Sequence, residues 1–130
     1  MARAQYLIDT NAIIDYLGGK LPNSGKTFLE KIITKSAQVS VITKIELLAF
    51  NTTEEHSNTL SNFINGMKVI ALTVPIVDKT RLIRKRHIVK LPDAIIAATA
   101  LNQNSILVTR NISDFRNIKN LKTLNPHAIS

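Results

Sequence analysis

At 130 residues, of which 45% are hydrophobic and 20% charged, the chain has the size and composition of one globular domain, and we expect residues 1–130 to form it. No apolar run approaches the roughly 20 residues of a membrane helix, and the absence of cysteine excludes disulfides, thiolate metal sites and a cysteine nucleophile. Seventeen basic residues against nine acidic ones give a net charge of +8, which favours an anionic partner, nucleic acid before a membrane surface.

The first stretch of the chain places an acid directly after an apolar run. Residues 1–4 lack the apolar region of a signal peptide, so we expect a cytoplasmic protein. Residues 6–8 predict a buried strand that ends at Asp9, after which Thr10 or Asn11 can cap a helix. Ligands of open α/β sheets bind outside the carboxyl ends of the strands, which makes Asp9 a candidate site residue. Taken alone, however, Asp9 is more typical of a helix cap.

Two helices follow. Apolar residues recur at helical spacing over 12–17, where Gly18 and Gly19 end the pattern. A loop is expected at 20–23, and a second amphipathic pattern includes Phe28 and extends to about residue 36.

The next segment again joins a strand to a helix. The β-branched residues of 38–42 predict a short strand, and 43–46 fits a capping box that begins a helix over 47–50. Glu46 is therefore predicted to lie where a strand is followed by a helix.

A fourth helix, a strand and a fifth helix are expected next. Residues 52–55 are typical of a capped helix start, and Gly66 ends that helix. Residues 68–72 predict a strand, and 74–88 predict a helix.

This last helix and the residues after it are unusually basic. Six cations lie within twelve residues: Lys79, Arg81, Arg84, Lys85, Arg86 and Lys90. A solvated helix face is the usual explanation of such a run. A surface that contacts phosphates explains this density equally well, so both interpretations remain open.

The segment 91–101 predicts a buried helix, because it is apolar on nearly every side. Pro92 fits the first helical position and Asp93 lies in the first turn. A strand is expected at 105–109, followed by a loop over 110–115 that contains Asp114. A last short strand is expected within 121–124.

Four acids share one kind of position, at or near a strand-to-helix junction: Asp9, Glu46, Asp93 and Asp114. Each has its own structural explanation, as a cap, a capping box, a helix-dipole partner or a turn residue. If the strands are parallel, these junctions meet at one edge of the sheet. Clustered carboxylates repel one another unless a cation lies among them. Mg²⁺ or Mn²⁺ prefers such oxygen ligands, and together with the basic surface this indicates metal-assisted phosphodiester hydrolysis.

Four motifs, in order, resemble those of PIN-domain proteins, and specifically the VapC-type toxins of toxin–antitoxin pairs. They lie at 7–11, 41–47, 91–100 and 107–115, so the resemblance spans nearly the whole chain. It implies a three-layer α/β/α sandwich around a mostly parallel sheet, and an endoribonuclease that depends on Mg²⁺ or Mn²⁺. It also implies a homodimer and an antitoxin partner that inhibits the acidic site.

The resemblance also assigns roles to individual residues. Asp9 and Asp93 would be the principal metal ligands, Glu46 a further ligand or orienting residue, and Asp114 the last acid. Many PIN domains carry an acid where this chain has Asn111, so either residue 111 or Asp114 completes the site. Supporting hydrogen bonds are expected from four residues: Thr10, Asn11, Thr109 and Asn111. Contacts to the RNA backbone are expected from six cations: Arg81, Arg84, Lys85, Arg86, Lys90 and Arg110.

Other functional classes fit the residues less well. Haloacid-dehalogenase-like phosphatases also begin with a strand that ends in an aspartate, but they place a second aspartate where this chain has Asn11. Response-regulator receivers usually carry an acidic pair near the first strand, which is missing here. An inactive PIN domain that only binds RNA or an antitoxin remains open. The three histidines, His56, His87 and His127, share no spacing and are expected on surfaces or loops.

Overall fold

The computed structural model describes residues 4–129, which form a parallel sheet between two layers of helices. The five strands are β1 (Gln5–Ile8), β2 (Gln38–Ser40), β3 (Lys68–Ile70), β4 (Ser105–Val108) and β5 (Thr123–Leu124). The helices are α1 (Thr10–Leu17), α2 (Asn23–Lys35), α3 (Val41–Leu48), α4 (Glu54–Asn65), α5 (Val74–Arg86), α6 (Leu91–Asn102) and α7 (Ile112–Phe115).

The sheet is parallel throughout, with the strand order β3-β2-β1-β4-β5. Its central strands are buried on both faces, which explains why their sequences are apolar runs and do not alternate between apolar and polar residues. Leu7 and Leu107 pack with α5 and α6 on one face, while Ile8 and Val108 pack with α1, α2 and α4 on the other. The predicted three-layer α/β/α architecture is thereby confirmed.

Helix α6 is the most buried helix, as its composition indicates. Every residue from Ala94 to Ala100 is buried, and four of these seven are alanines, which let the helix approach the sheet closely. Pro92 lies in the first turn, where the missing N–H would have no partner within the helix. Asp93 is thereby held at the edge of the core.

The segment 38–42 differs from the prediction. The strand stops at Ser40, whose hydroxyl accepts a hydrogen bond from the N–H of Ile42 at 3.1 Å and so caps α3. Residues 41 and 42 are helical, because the cap and the packing of Ile42 against the core outweigh their β propensity. The capping box at 43–46 is therefore wrong, and Glu46 lies within α3 rather than at its start.

Smaller differences concern element ends. Helix α2 begins at Asn23, so the expected loop at 20–23 is shorter, and α5 ends at Arg86 rather than near residue 88. The loop expected over 110–115 contains the one-turn helix α7, because Phe115 is buried in the core. The capped helix start expected within 52–55 is confirmed, with Thr53 as the cap, and so is the end at Gly66.

No helix within residues 4–129 has the length and apolarity needed to cross a bilayer. The prediction about a signal peptide falls mostly on residues 1–3, which lie outside the described residues.

Candidate active site

Asp9 directly follows β1 and is itself the N-cap of α1, so the expected cap at Thr10 or Asn11 is wrong. Its side chain is buried, with 4% of the residue exposed. Oδ1 accepts a hydrogen bond from the N–H of Thr10 at 2.8 Å. Oδ2 accepts from the hydroxyl of Thr109 at 2.7 Å and from Nδ2 of Asn11 at 3.1 Å. Three donors from two elements thus fix the orientation of one carboxylate.

Glu46 reaches the start of α1 from α3. The hydroxyl of Thr10 donates to Oε1 of Glu46 at 2.6 Å, and the hydroxyl oxygen of Thr43 lies 3.1 Å from that of Thr10. Glu46 itself is exposed. Thr10 therefore connects Asp9, through its backbone, with Glu46, through its side chain.

The segment after β4 forms another wall of the site. Thr109 is fully buried, and its hydroxyl accepts a hydrogen bond from the N–H of Asn111 at 3.1 Å while it donates to Asp9. Oδ1 of Asn11 accepts from the N–H of Arg110 at 3.0 Å. Side-chain hydrogen bonds at this site come from Thr10, Asn11 and Thr109, whereas Asn111 contributes its backbone N–H.

Asp93 is electrostatically coupled to the other three acids. Its partial burial raises the pKa of its carboxyl, and the negative charges of Asp9, Asp114 and Glu46 raise it further, against the opposing charge of Lys90. Asp9 follows β1 and Asp114 lies in α7 after β4, while Glu46 reaches Thr10 from α3. These acids therefore lie at the carboxyl edge of the sheet, and Asp93 lies in the first turn of α6.

The surroundings of Asp9 also raise the pKa of its carboxyl. Burial raises the pKa of Asp9, and the charge of Glu46 adds to this, although the hydrogen bonds from Thr109, Thr10 and Asn11 lower it. The site thus holds carboxylates that become less costly to ionise when a cation is placed among them.

The carboxylates of this site suit a hard cation that keeps some of its water ligands better than a metal ion held by protein ligands alone. Within residues 4–129, no three Asp, Glu or His side chains converge closely enough to hold an ion by themselves. Mg²⁺, however, is commonly held by one or two carboxylates and keeps several of its waters. Oδ1 of Asp9 accepts a single hydrogen bond and keeps a lone pair free for a cation or for one of its waters, whereas Oδ2 already accepts two. The oxygen-only chemistry and the clustered negative charge therefore suit Mg²⁺ or Mn²⁺.

The six cations expected to contact RNA occupy different places. Lys90 precedes α6 and lies close enough to Asp93 to affect its pKa. The guanidinium of Arg110 is bound to Asp15, with 51% of its side chain exposed. The remaining four are exposed on α5: Arg81, Arg84, Lys85 and Arg86.

A buried network next to the site was not predicted. The carboxylate of Asp15, only 4% exposed, accepts hydrogen bonds from Nη1 of Arg110 at 3.0 and 3.2 Å. Nε2 of His127 lies 2.8 Å from Oδ2 of the same carboxylate. An acid within an apolar helix, as at Asp15, is the one sequence feature that could have indicated a buried ion pair. Nothing in the sequence near His127 indicates its contact with Asp15. The network ties α1, the segment after β4 and the C-terminal segment together.

Comparisons with known proteins agree with this geometry. The family model for the PIN domain matches residues 6–121. No curated protein matches the chain. Among solved structures, the fold is similar to a chain of a toxin–antitoxin complex from Klebsiella pneumoniae, with 26% identity, a TM-score of 0.77, and coverage of 95% of this chain and 99% of that one.

Two further structures share the fold. A chain of VapBC2 from Rickettsia felis, bound to a DNA fragment from the promoter, has 24% identity, a TM-score of 0.78, and coverage of 93% and 98%. A chain of VapBC-1 from nontypeable Haemophilus influenzae has 22% identity, a TM-score of 0.78, and coverage of 95% and 99%. The resemblance inferred from the four motifs is confirmed, and the chain belongs to the PIN domain family.

Proposed function

We propose that this protein is a metal-dependent endoribonuclease of the cytoplasm and the toxin of a VapC-type toxin–antitoxin pair. The observation that carries the proposal is the placement of the acids at the carboxyl edge of a PIN-domain sheet. Thr10 joins Asp9, which follows β1, to Glu46 by hydrogen bonds, Asp114 follows β4, and Asp93 lies in the first turn of α6. Such a cluster is unfavourable in itself and becomes favourable around a divalent cation.

Asp9 and Asp93 would hold Mg²⁺ or Mn²⁺, with Glu46 and Asp114 as further ligands or as acceptors for bound water. When bound, the metal supplies a water activated for attack and neutralises charge on the phosphate. Thr109 and Asn11 keep the Asp9 carboxylate in one orientation through the hydrogen bonds to Oδ2. Such fixed orientation of the ligands lowers the reorganisation required at the reacting phosphate.

The basic residues would hold the RNA backbone outside the acidic centre. Lys90 is placed next to Asp93, where a positive charge attracts a phosphate toward the acids. Arg110 keeps half of its side chain exposed while it is paired with Asp15. The exposed cations of α5 would add sequence-independent affinity: Arg81, Arg84, Lys85 and Arg86.

We further propose a cognate antitoxin and a homodimer as protein partners. The similar chain from Klebsiella pneumoniae comes from a toxin–antitoxin complex, and the one from Haemophilus influenzae comes from VapBC-1. This chain also exposes large apolar side chains that are suited to a protein interface, among them Ile45, Phe50, Leu72 and Val74.

The proposal is tested by RNA cleavage with Mg²⁺ or Mn²⁺, with EDTA, and with an Asp93→Asn variant. Asp93 is the best position to change because its side chain forms no hydrogen bond within residues 4–129, whereas the side chain of Asp9 accepts three. Asp78→Asn is the matched control, because Asp78 is exposed on α5. We expect cleavage by the wild type and the control, and its loss with EDTA or with Asp93→Asn.

Other outcomes identify the alternative functions. A folded wild type that binds an RNA panel but cleaves none of it with either metal would indicate an inactive binding domain. Hydrolysis of small phosphate esters through a trapped aspartyl-phosphate would indicate a phosphatase. Cleavage that persists in EDTA would refute the metal mechanism.

A further inference from the structure

A groove lies at the edge of the sheet opposite the acidic site. Gln5 and Ser105, which begin β1 and β4, line it, whereas Asp9 and Thr109 follow the ends of the same strands. Its volume is about 530 Å³. At ~3.3 Å per strand residue, Gln5 and Asp9 are separated by roughly 13 Å, so the groove is distinct from the acidic site.

The groove is lined by positive charge from two separate parts of the chain. Lys79 and Arg86 lie on one face of α5, seven residues apart, and Lys119 and Lys122 come from the connection between α7 and β5. His87 also lines the groove, and no carboxylate does. The ion pairs within residues 4–129 all involve Asp15, so none of the four cations is neutralised by an acid there.

Polar groups at the groove remain available to a ligand. Asn104 and Asn120 line it, both with left-handed backbone conformations at φ values of 52° and 68°. Both residues are exposed, and their carboxamides form no hydrogen bond within residues 4–129. Four uncompensated cations with two free carboxamides suit a ligand that carries several anionic oxygens.

The lining also indicates how such a ligand is recognised. Its apolar part is aliphatic, including Leu82, Ile83, Ile106 and Ile118. It contains no Phe, Tyr or Trp, and the imidazole of His87 is the one ring among the lining residues. Binding would therefore depend on phosphates rather than bases. A phosphate backbone bound in this way shows little sequence preference and strong salt dependence.

We infer that this groove binds the phosphate backbone of an RNA segment outside the cleavage site. The identification of the polyanion as RNA rests on the proposed function, while the anion site itself rests on the lining of the groove. The groove also gives a role to Lys79 and Arg86 that differs from that of the other basic residues of α5. Only these two cations of α5 line the groove.

The test measures how salt affects RNA binding in EDTA, so that no cleavage occurs. A fluorescein-labelled single-stranded RNA is titrated with wild type, with Lys119→Gln/Lys122→Gln, and with the control pair Lys20→Gln/Lys26→Gln. All four lysines are exposed, and both double variants lose the same charge. Thermal unfolding of each protein verifies that it is folded.

We expect the groove variant to lower the slope of log affinity against log salt by about 1.4, at ~0.7 per phosphate contact of a single strand. At 0.1 M salt this corresponds to a loss of affinity of roughly tenfold or more. The control pair should change the slope by less than about 0.5, because its lysines do not line the groove.

Equal slopes for the groove variant and the control pair would overturn the inference. It would also be overturned if the groove variant bound RNA normally but lost binding to phosphatidylserine vesicles. If the wild type never cleaved RNA, the proposed nuclease function would fail. The slope difference would then still show that the groove binds a phosphate backbone.

Discussion

Replacing Asp15 by asparagine preserves the size of the side chain but removes the charge that holds Arg110 and His127. The carboxylate is 4% exposed, and the two partners contact it at 3.0 and 2.8 Å. Breaking a fully buried ion pair costs ~3–5 kcal/mol. Because the side chains of Arg110 and His127 are 51% and 29% exposed, water can solvate them after the change, and we expect a smaller loss. The weakened hydrogen bonds of these two partly exposed partners to a charged acceptor then indicate a loss of about 2 kcal/mol.

This loss is measurable as a change in the unfolding temperature. At ~2.1 cal/mol/K per residue, 130 residues give an unfolding entropy of about 0.27 kcal/mol/K, so 2 kcal/mol corresponds to roughly 7 °C. Thermal and urea unfolding of Asp15→Asn would be compared with those of Asp78→Asn, whose acid is exposed and which should change stability by less than about 0.5 kcal/mol. The reasoning is refuted if the two variants unfold at the same temperature.

Three further substitutions test other contacts. Asp93→Asn should stabilise the metal-free protein. Because the pKa of Asp93 is raised above 3.8 in the folded state, stability falls as pH rises through that raised pKa, and urea midpoints measured across pH should decline less in the variant than in the wild type. Thr109→Val should lower the free energy of unfolding by ~1.5–3 kcal/mol in urea, because the hydroxyl that donates to Asp9 is lost. Gly25→Ala should cost ~1–3 kcal/mol by thermal unfolding, since its Cβ would overlap the carbonyl oxygen of Pro126.

Each of these expectations has a contrary result. An Asp93→Asn protein that is less stable than wild type without metal would mean that repulsion among the acids is unimportant. A Thr109→Val protein of wild-type stability would remove the argument that the hydroxyl supports Asp9. Gly66→Ala is the control for Gly25→Ala, because its nearest contact would be an ordinary 3.7 Å to the oxygen of Phe63. Equal stability of the two alanine variants would contradict the close approach at Pro126.

Local sequence patterns were sufficient for the architecture because strands, caps and apolar faces depend on neighbouring residues. The strand before Asp9 and the buried helix after Asp93 follow directly from apolar runs. The parallel order of the strands then brings the acids to one edge of the sheet.

Glu46 was placed near the site for a reason that the structure corrects. The sequence allowed a cap at Thr43, but the backbone already turns at Ser40, whose hydroxyl satisfies a free N–H of α3. Choosing between two possible caps depends on how the following helix packs, which local propensity does not describe.

The contact between Asp15 and His127 could not be predicted, because the two residues are 112 positions apart. No periodicity or spacing connects a helix near one end of the chain with a turn near the other. The groove was missed for a similar reason: Lys119 and Lys122 join the basic face of α5 only in the folded chain.

The central claim is that Asp9 and Asp93, with Glu46 and Asp114 nearby, hold a metal ion that supports RNA cleavage. Its most direct test follows bound Mn²⁺ by electron paramagnetic resonance and RNA cleavage in the same titration, for wild type, Asp78→Asn and Asp93→Asn. We predict that occupancy and cleavage rate rise together in the first two proteins, and that both are lost in Asp93→Asn. Wild-type cleavage by a folded Asp93→Asn protein would contradict the claim.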